Sequence, residues 1–523
     1  MAIRPLEVKE LAEVLAVDFD DAEGIPKLKP NWRWEDEEQA ILTSCSSLIT
    51  TVETYYSRVV QFSHFSVKEY LTSERLATSS GDISRYHIDL ELAHTILAQA
   101  CMGILLRSCD HVEENSGSPL AEYAAKHWVT HAQFERVSPF IRKAMENLFD
   151  LDKPYFAAWL QLYDIDTFPT FYSSSLRQFA IRGKSSATPL YYAALCGFQD
   201  LVEHLVGKYP QQVDVIGGHY VTPLFAALSG GQYRTAKFLC HDGAHVDVRG
   251  RVGVTPLHSA CYYGDLKMVQ LLLDHKADVN VRDDDSWTPI HFLSSGSCNI
   301  ARHHNTHRLW SDIARLLLEN GADVNTRINN GLTPFHLAGT VEVVRVLLEH
   351  GADIGAVDRQ GRTPLHTTAE DANAEVVCVL LEHGANVDLM DNDDRTPLHT
   401  AVKVEVVRVL LEYGANIAAV DNQGRTPLHN VAESGTVEVV RALLERGVNV
   451  GAIDNQGRTP LHRAVDYWYP DERVELVSVL LEHGANAGTQ DNESRTPFQI
   501  AKGADEDSHD VLELLSEHSA KVV

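Results

Sequence analysis

The nonapeptide DNQGRTPLH at residues 421–429 occurs again, unchanged, at residues 454–462, and shorter forms of it recur along the chain. Thr-Pro pairs begin at ten positions from residue 188 to residue 496, separated by 30 to 45 residues. A second segment, LLEHGA, recurs between the Thr-Pro pairs, at residues 347–352, 380–385 and 480–485. A period of about 33 residues is typical of a stacked repeat architecture.

Each repeat can be built from local signals. Thr is a favoured N-cap, and Pro fits the first helical position because an N–H group there has no helical partner. A second helix with an apolar stripe follows, as in AEVVCVLLE at residues 374–382, and Gly384 is placed to end it in a left-handed conformation. Two such short helices cannot bury a core alone, so the repeats are expected to stack.

These phrases resemble the ankyrin repeat, which they match in ten units between residues 181 and 523. The resemblance implies a mostly α fold, a curved solenoid of helix pairs with projecting hairpins, and binding of protein partners. In ankyrin repeats the His after Thr-Pro-Leu hydrogen-bonds neighbouring hairpins. We therefore expect a structural role for the seven histidines that occupy this position: His258, His291, His336, His366, His399, His429 and His462.

Some repeats are irregular. Repeats five and seven, which begin at Thr333 and Thr396, span only 30 residues, so their first helices are expected to be shorter. Repeat four, which begins at Thr288, spans 45 residues. Its insertion is either a neutral loop or a binding epitope, since such insertions tend to fall on one face of a repeat array.

The N-terminal third lacks the repeat and divides into a winged-helix-like segment at residues 1–80 and a helical linker at residues 81–180. RVVQFSHF at residues 58–65 is typical of a strand, and Ser66 with Glu69 forms a capping box that predicts a following helix. The phrases VVQFSHFSVKEYLTSERLA and PLAEYAAKHWVTHAQFE resemble the region downstream of the NACHT module in fungal STAND-type NTPases with C-terminal ankyrin repeats. In that family a winged-helix His lies beside the nucleotide phosphate, and His64 matches it.

A nucleotide site is nevertheless not expected in this chain. Gly183, Lys184 and Ser185 look like the end of a phosphate-binding loop, but Gln178 stands where that loop needs its first Gly. The resemblance places the phosphate loop and the Mg²⁺ segment upstream of Met1, so His64 is expected to be vestigial. We expect no cofactor, and no metal at His303, His304 and His307, which lack closed-site partners.

Composition narrows the class of function. The chain has 523 residues and a formal net charge of -28, which disfavours binding to nucleic acid and to anionic membranes. Its eight cysteines are scattered, which fits reduced thiols in the cytoplasm. We therefore expect a non-enzymatic protein–protein recognition scaffold, the sensing half of a STAND-type switch. The alternative is a signalling protein coupled to an NTPase domain absent from this chain.

Two sets of residues are candidates for partner binding. Arginines recur in the hairpins at Arg362, Arg395, Arg425 and Arg458, each four residues after an Asp. They could grip an acidic partner, or they could pair locally with those aspartates. The residues after each Thr-Pro-Leu-His differ between repeats, so they are expected to specify the ligand, with Tyr467 and Trp468 as aromatic anchors. The segment from Ser297 to Trp310 is the next candidate.

Overall fold

The computed structural model describes residues 17–18, 27–28, 49–53, 58–62, 89–106, 119–166, 187–293, 306–371, 373–434, 436–466, 470–503 and 509–521. The chain divides into two compact bodies, an N-terminal body of residues 1–251 and a C-terminal body of residues 252–523. Ankyrin-like repeats one and two belong to the N-terminal body, and repeats three to ten belong to the C-terminal body.

Four strands are described near the N-terminus, in two antiparallel pairs. Strand β1 (Val17–Asp18) pairs with β2 (Lys27–Leu28), and β3 (Ile49–Glu53) pairs with β4 (Arg58–Phe62) in a register that sets Ile49 opposite Phe62. The strand predicted from residue 58 is therefore confirmed. The helix predicted to begin after Ser66 lies outside the described residues.

The described part of the predicted helical linker contains four α-helices, and its core is aromatic. The ring centroids of Trp128 and Trp159 lie 5.4 Å apart, and the Trp159 Nε1–H donates to the carbonyl of Ala125 at 3.0 Å. Trp128 also stacks on Phe198 of repeat one at a centroid distance of 5.4 Å, so the linker and the first repeat share one core. The helices are α1 (Leu90–Leu105), α2 (Pro119–Ala132), α3 (Arg142–Leu148) and α4 (Tyr155–Leu162).

Repeats one and two each form a helix pair: α5 (Pro189–Cys196) with α6 (Gln199–Lys208), and α7 (Pro223–Ser229) with α8 (Tyr233–His241). Tyr191 stands where later repeats have His. Its hydroxyl donates to Asp166 at 2.8 Å and accepts from the backbone N–H of Tyr220 at 3.1 Å. Tyr191 therefore links repeat one both to the linker and to the hairpin of repeat two.

The C-terminal body is a stack of helix pairs, in which first helices pack on first helices and second helices on second helices of the next repeat. Its helices are α9 (Pro256–Tyr263), α10 (Leu266–Asp274), α11 (Pro289–Phe292), α12 (Thr306–Glu319), α13 (Val341–Glu349), α14 (Pro364–Glu370), α15 (Ala374–Glu382), α16 (Pro397–Thr400), α17 (Val404–Glu412), α18 (Pro427–Ser434), α19 (Val437–Glu445), α20 (Pro460–Ala464), α21 (Pro470–Glu482), α22 (Pro497–Gly503) and α23 (His509–Lys521).

The short repeats have shortened first helices, as their lengths predict. Residues 334–337 of repeat five form a turn rather than an α-helix, and α16 of repeat seven has 4 residues where α18 of repeat eight has 8. The second helices keep their length, since α13, α17 and α19 each have 9 residues. The missing residues are therefore taken from the first helix alone.

Loss of the Thr cap in an inner repeat is expected to cost about 1 kcal/mol of unfolding free energy. In repeat eight the Thr426 hydroxyl lies 2.9 Å from Nδ1 of His429, a buried contact that Thr426→Ala removes. Thr496→Ala is the matched change in the terminal repeat and should cause local fraying, because only one neighbour depends on it. Equal global destabilisation in urea titrations of both variants would contradict this nearest-neighbour coupling.

Candidate protein-binding surface

Six of the seven histidines at the predicted position link their repeat to the hairpin of the next. In repeat six the His366 Nδ1 accepts from the Thr363 backbone N–H at 3.1 Å, and Nε2–H donates to the carbonyl of Arg395 at 3.0 Å. Five other repeats show the same Nε2 contact, through His258, His336, His399, His429 and His462. The structural role predicted for this position is what the geometry shows.

These imidazoles are held neutral. Burial lowers the pKa of His366 below its ordinary value, and it does so for His336, His399, His429 and His462. For His291 burial lowers the pKa to about 3. An Nδ1 that accepts and an Nε2 that donates also define a single neutral tautomer. The row of histidines is therefore part of the framework of the array.

The hairpin arginines are paired with the aspartates that precede them. In repeat eight the Arg425 Nε–H donates to the Asp421 carboxylate at 2.8 Å, and that carboxylate also accepts from the backbone N–H of Gln423 and Arg425 at 2.9 and 2.8 Å. Arg362, Arg395 and Arg458 make the same contact with Asp358, Asp391 and Asp454 at 3.0 to 3.3 Å. Local pairing, the second of the two alternatives, is what the structure shows.

Further carboxylates neutralise some of these arginines again. Arg362 reaches Glu370 at 3.1 Å, Arg395 reaches Asp393 at 2.8 Å and Arg425 reaches Glu433 at 3.5 Å. The arginine row is therefore not a free cationic strip. An acidic partner would have to displace these ion pairs. Direct binding of such a partner by the four arginines stays a prediction.

Asp421→Ala is expected to cost more stability than Arg425→Ala. The Asp side chain is fully buried, and its removal leaves two hairpin N–H groups and the Arg charge without their acceptor, at a cost of about 2–4 kcal/mol. After Arg425→Ala the carboxylate keeps both backbone donors, so about 1 kcal/mol is expected. Urea titration of the two variants measures the difference, and a reversed order would mean that the Arg anchors the hairpin.

Consecutive hairpins are bonded to one another. The Asn455 backbone N–H donates to the carbonyl of Gln423, and its side-chain amide donates to the carbonyl of Asn422 at 3.1 Å. Asn392 makes the equivalent contacts two repeats earlier, and Asn492 makes them one repeat later. The approach is so close that a Cβ on Gly424, whose φ is +73°, would lie 2.5 Å from the Asn455 Oδ1. The hairpins therefore form a continuous, rigid edge.

The variable residues after each Thr-Pro-Leu-His are divided between the core and the surface. Thr367, Thr368 and Ala369 of repeat six are buried, and so are Val431 and Ala432 of repeat eight. They differ between repeats but pack on neighbouring helices, as when the Thr367 hydroxyl donates to the carbonyl of His336 at 2.8 Å. A side chain in the core cannot meet a ligand, and sequence variation within a core also follows local changes in packing. Other variable positions, such as Glu370, Val402 and Glu433, are exposed, so a recognition stripe at those positions stays a prediction.

Several predicted site residues cannot be placed. His64, Tyr467, Trp468, His303 and His304 lie outside the described residues, as does most of the segment from Ser297 to Trp310. Trp310 itself belongs to helix α12, is only 6 % exposed and packs over Gly264. It anchors the insertion to repeat three and is not a side chain free to meet a ligand. Within the described ranges no group of His, Cys, Asp or Glu is arranged to hold a metal.

Sequence comparisons agree with this geometry. Models described as ankyrin repeats match residues 299–358, 339–421 and 417–491, and a second ankyrin model matches residues 224–273 and 257–302. Residues 1–81 match the winged-helix domain of GPI inositol-deacylase. The chain is thus an ankyrin-repeat protein with an N-terminal winged-helix domain, which confirms the predicted fold class.

One curated relative is the azaphilone pigments biosynthesis cluster protein L of Monascus ruber. It is 30 % identical over 258 residues, which cover 46 % of this chain and 53 % of the relative. The match therefore spans about half the length of each protein. Among the described helices, none has the length and apolar character needed to cross a bilayer.

Proposed function

We propose that this chain is a non-enzymatic scaffold that binds a protein partner along the hairpin edge of its C-terminal body. The observation that carries the proposal is the hydrogen-bonded line of hairpins. It fixes exposed side chains at equivalent positions in consecutive repeats, such as Gln423 and Gln456. Rigid presentation of this kind lowers the entropy cost of binding a partner.

The finer proposal is that the chain is the sensing part of a nucleotide-driven switch of the STAND type. The winged-helix domain before a repeat array supports it, as does the resemblance of residues 59–77 and 119–135 to fungal NACHT proteins. The alternative is a signalling protein coupled to an NTPase domain absent from this chain. The buried free thiols of Cys196, Cys240 and Cys261 suit a reducing compartment such as the cytoplasm.

The experiment is affinity capture with the full chain immobilised, followed by mass spectrometry of crosslinked partners. We expect a reproducible partner that is lost when Gln423 and Gln456 are both changed to Lys. The matched control, Glu412→Lys on an exposed position of helix α17, should retain it. Capture that is indifferent to the hairpin change would place binding elsewhere, and failure to retain any partner would overturn the scaffold proposal.

Nucleotide binding tests both finer proposals, because each places the NTPase outside this chain. ATP with Mg²⁺ should leave the melting temperature of the chain unchanged if the NTPase resides elsewhere. Ligand at 100 times its dissociation constant would add about 2.7 kcal/mol of stability, so a clear upward shift would show that this chain binds nucleotide itself.

A further inference from the structure

A row of exposed apolar side chains runs along four consecutive hairpins. Val357, Met390, Val420 and Ile453 are 40, 49, 50 and 61 % exposed, and each directly precedes the buried Asp of its hairpin. Because they occupy one position in hairpins that are bonded edge to edge, they form a single line, here called the hairpin row. Scattered apolar residues on a surface are ordinary, whereas an aligned set marks an interaction site.

A line of hydrogen-bonding side chains accompanies the hairpin row. Gln360, Gln423 and Gln456 are exposed and lie three residues further along the same hairpins, with Asp393 in that place in repeat seven. Beside Val357 there is a cleft of about 440 Å³, lined by Asn329, Asn330, Asp358, Arg359, Gln360 and Arg362. An apolar line beside amide groups and next to a polar cleft offers both side-chain contacts and partners for a main chain.

Charge along these hairpins changes from one repeat to the next. Once each Arg is paired with its Asp, repeat six adds Arg359 and repeat seven adds the exposed Asp393 and Asp394. The hairpin segments 418–425 and 451–458 of repeats eight and nine contain no charges beyond their Asp–Arg pairs. The surface along the row is therefore positive in repeat six, negative in repeat seven and neutral in repeats eight and nine.

We propose that the hairpin row binds an extended, polyproline-II-like segment of a protein partner that carries an apolar residue at every third position. The segment has an acidic group over repeat six, a basic residue over repeat seven and uncharged residues over repeats eight and nine, complementing the surface. This inference rests on the proposed scaffold function and names the chemistry of its partner.

Spacing selects this conformation. Packed helices lie about 8–10 Å apart, which sets the distance from one repeat to the next. A polyproline-II helix rises about 3.1 Å per residue with three residues per turn, so every third side chain faces the same way about 9 Å further on. In a β-strand, by contrast, residues three apart face opposite sides.

Main-chain hydrogen bonding separates polyproline II from an α-helix. An apolar stripe at seven-residue intervals on an α-helix would also match the spacing, at about 10.5 Å. An α-helix satisfies its own backbone groups, however, and would leave the amides of Gln360, Gln423 and Gln456 without a function. Polyproline II makes no internal hydrogen bonds, so its carbonyls are free to accept from them.

The test uses the full chain and fluorescein-labelled twelve-residue peptides built from Leu-Pro-Pro triplets, with Glu replacing one Pro of an end triplet and Lys one Pro of the next. Both chain directions are synthesised. The comparison peptide has the same composition with Leu at every second position. We expect fluorescence anisotropy to show at least tenfold tighter binding of one period-three peptide. Equal affinities, or no binding, would overturn the proposed ligand chemistry.

Variants locate the site. Val420→Lys with Ile453→Lys should raise the peptide dissociation constant at least tenfold without changing the melting temperature, because both side chains are exposed. Tyr413→Lys, at a position that is 43 % exposed but lies after helix α17 and outside the row, is the matched control and should change neither quantity. Unchanged peptide binding by the double variant would overturn the inference. If that variant still captures the cellular partner, the row is not the docking site, although the scaffold function stands.

Discussion

Mild acid is expected to destabilise the C-terminal body well above the pH at which carboxylates titrate. Six histidines there have a pKa lowered by burial: His291, His336, His366, His399, His429 and His462. In the unfolded chain they titrate near pH 6.5, so below that pH the unfolded state binds more protons than the folded state. Stability is therefore complete above about pH 6.5 and falls as the pH drops toward the folded pKa values.

The loss of unfolding free energy in acid is expected to grow with the number of repeats, because each buried histidine contributes to it. Each imidazole that stays neutral while the unfolded chain takes up a proton contributes a slope of up to about 1.4 kcal/mol per pH unit, and the six slopes have the same sign. Asp454 acts in a different range. Burial opposes its charged form, but hydrogen bonds from Arg458 and Arg463 outweigh that and lower its pKa, so its contribution is lost only below about pH 4.

The terminal repeat shows which residue can replace the buried His without introducing a titratable group. Gln499 stands in place of the His there, and its Oε1 accepts from the Thr496 backbone N–H at 2.8 Å. We expect the triple change of His366, His399 and His429 to Gln to halve the proton uptake on unfolding, measured from urea midpoints between pH 7 and pH 5. An unchanged pH slope would mean that other groups cause the acid transition.

Trp128→Ala is expected to destabilise the N-terminal body by about 3–5 kcal/mol. Trp128 is completely buried, and its ring contacts Phe149, Trp159 and Phe198 at centroid distances of 5.4 to 6.0 Å. Its loss leaves a cavity where linker and repeat one meet, so both should loosen together. Urea unfolding followed by far-UV circular dichroism measures the loss.

A nearby exposed aromatic residue provides the control. Phe140 is 61 % exposed, so Phe140→Ala should change stability by less than about 0.5 kcal/mol. Hydrogen exchange of the Trp128 variant should show reduced protection in both α2 and α5. Protection lost in α2 alone would mean that the linker is an independent domain, and equal effects of the two changes would contradict the shared core.

The sequence determined most of the repeat framework. Thr-Pro-Leu-His encodes its cap and first helix within a few residues, so the start of α14 at Pro364 follows from local rules. The shortening of α16 could be predicted from the 30-residue spacing of repeat seven, because the absent residues correspond to about one helical turn. Such features could be predicted because each depends on contacts between residues close in the chain.

The candidate site could not be predicted in the same way. Which variable residues reach solvent depends on packing between repeats, so Thr367 and Val431 were assigned to a surface although they lie in the core. The sequence left open whether Arg425 pairs with Asp421 or binds an acidic partner, and the distance between the two side chains showed that they pair. The hairpin row could not be predicted from the sequence, because Val, Met and Ile before an Asp are typical of core positions.

Sequence alone thus determined the class of fold, the repeat boundaries and the structural role of the histidines, since these rest on short-range signals repeated many times along the chain. Tertiary structure alone decided exposure. Val357 and Val431 are the same residue type in repeats of the same array, yet one is 40 % exposed on a hairpin and the other 3 % exposed between helices. Burial is a property of what stacks on a side chain, and in a repeat array the stacking neighbour lies about 30 residues away.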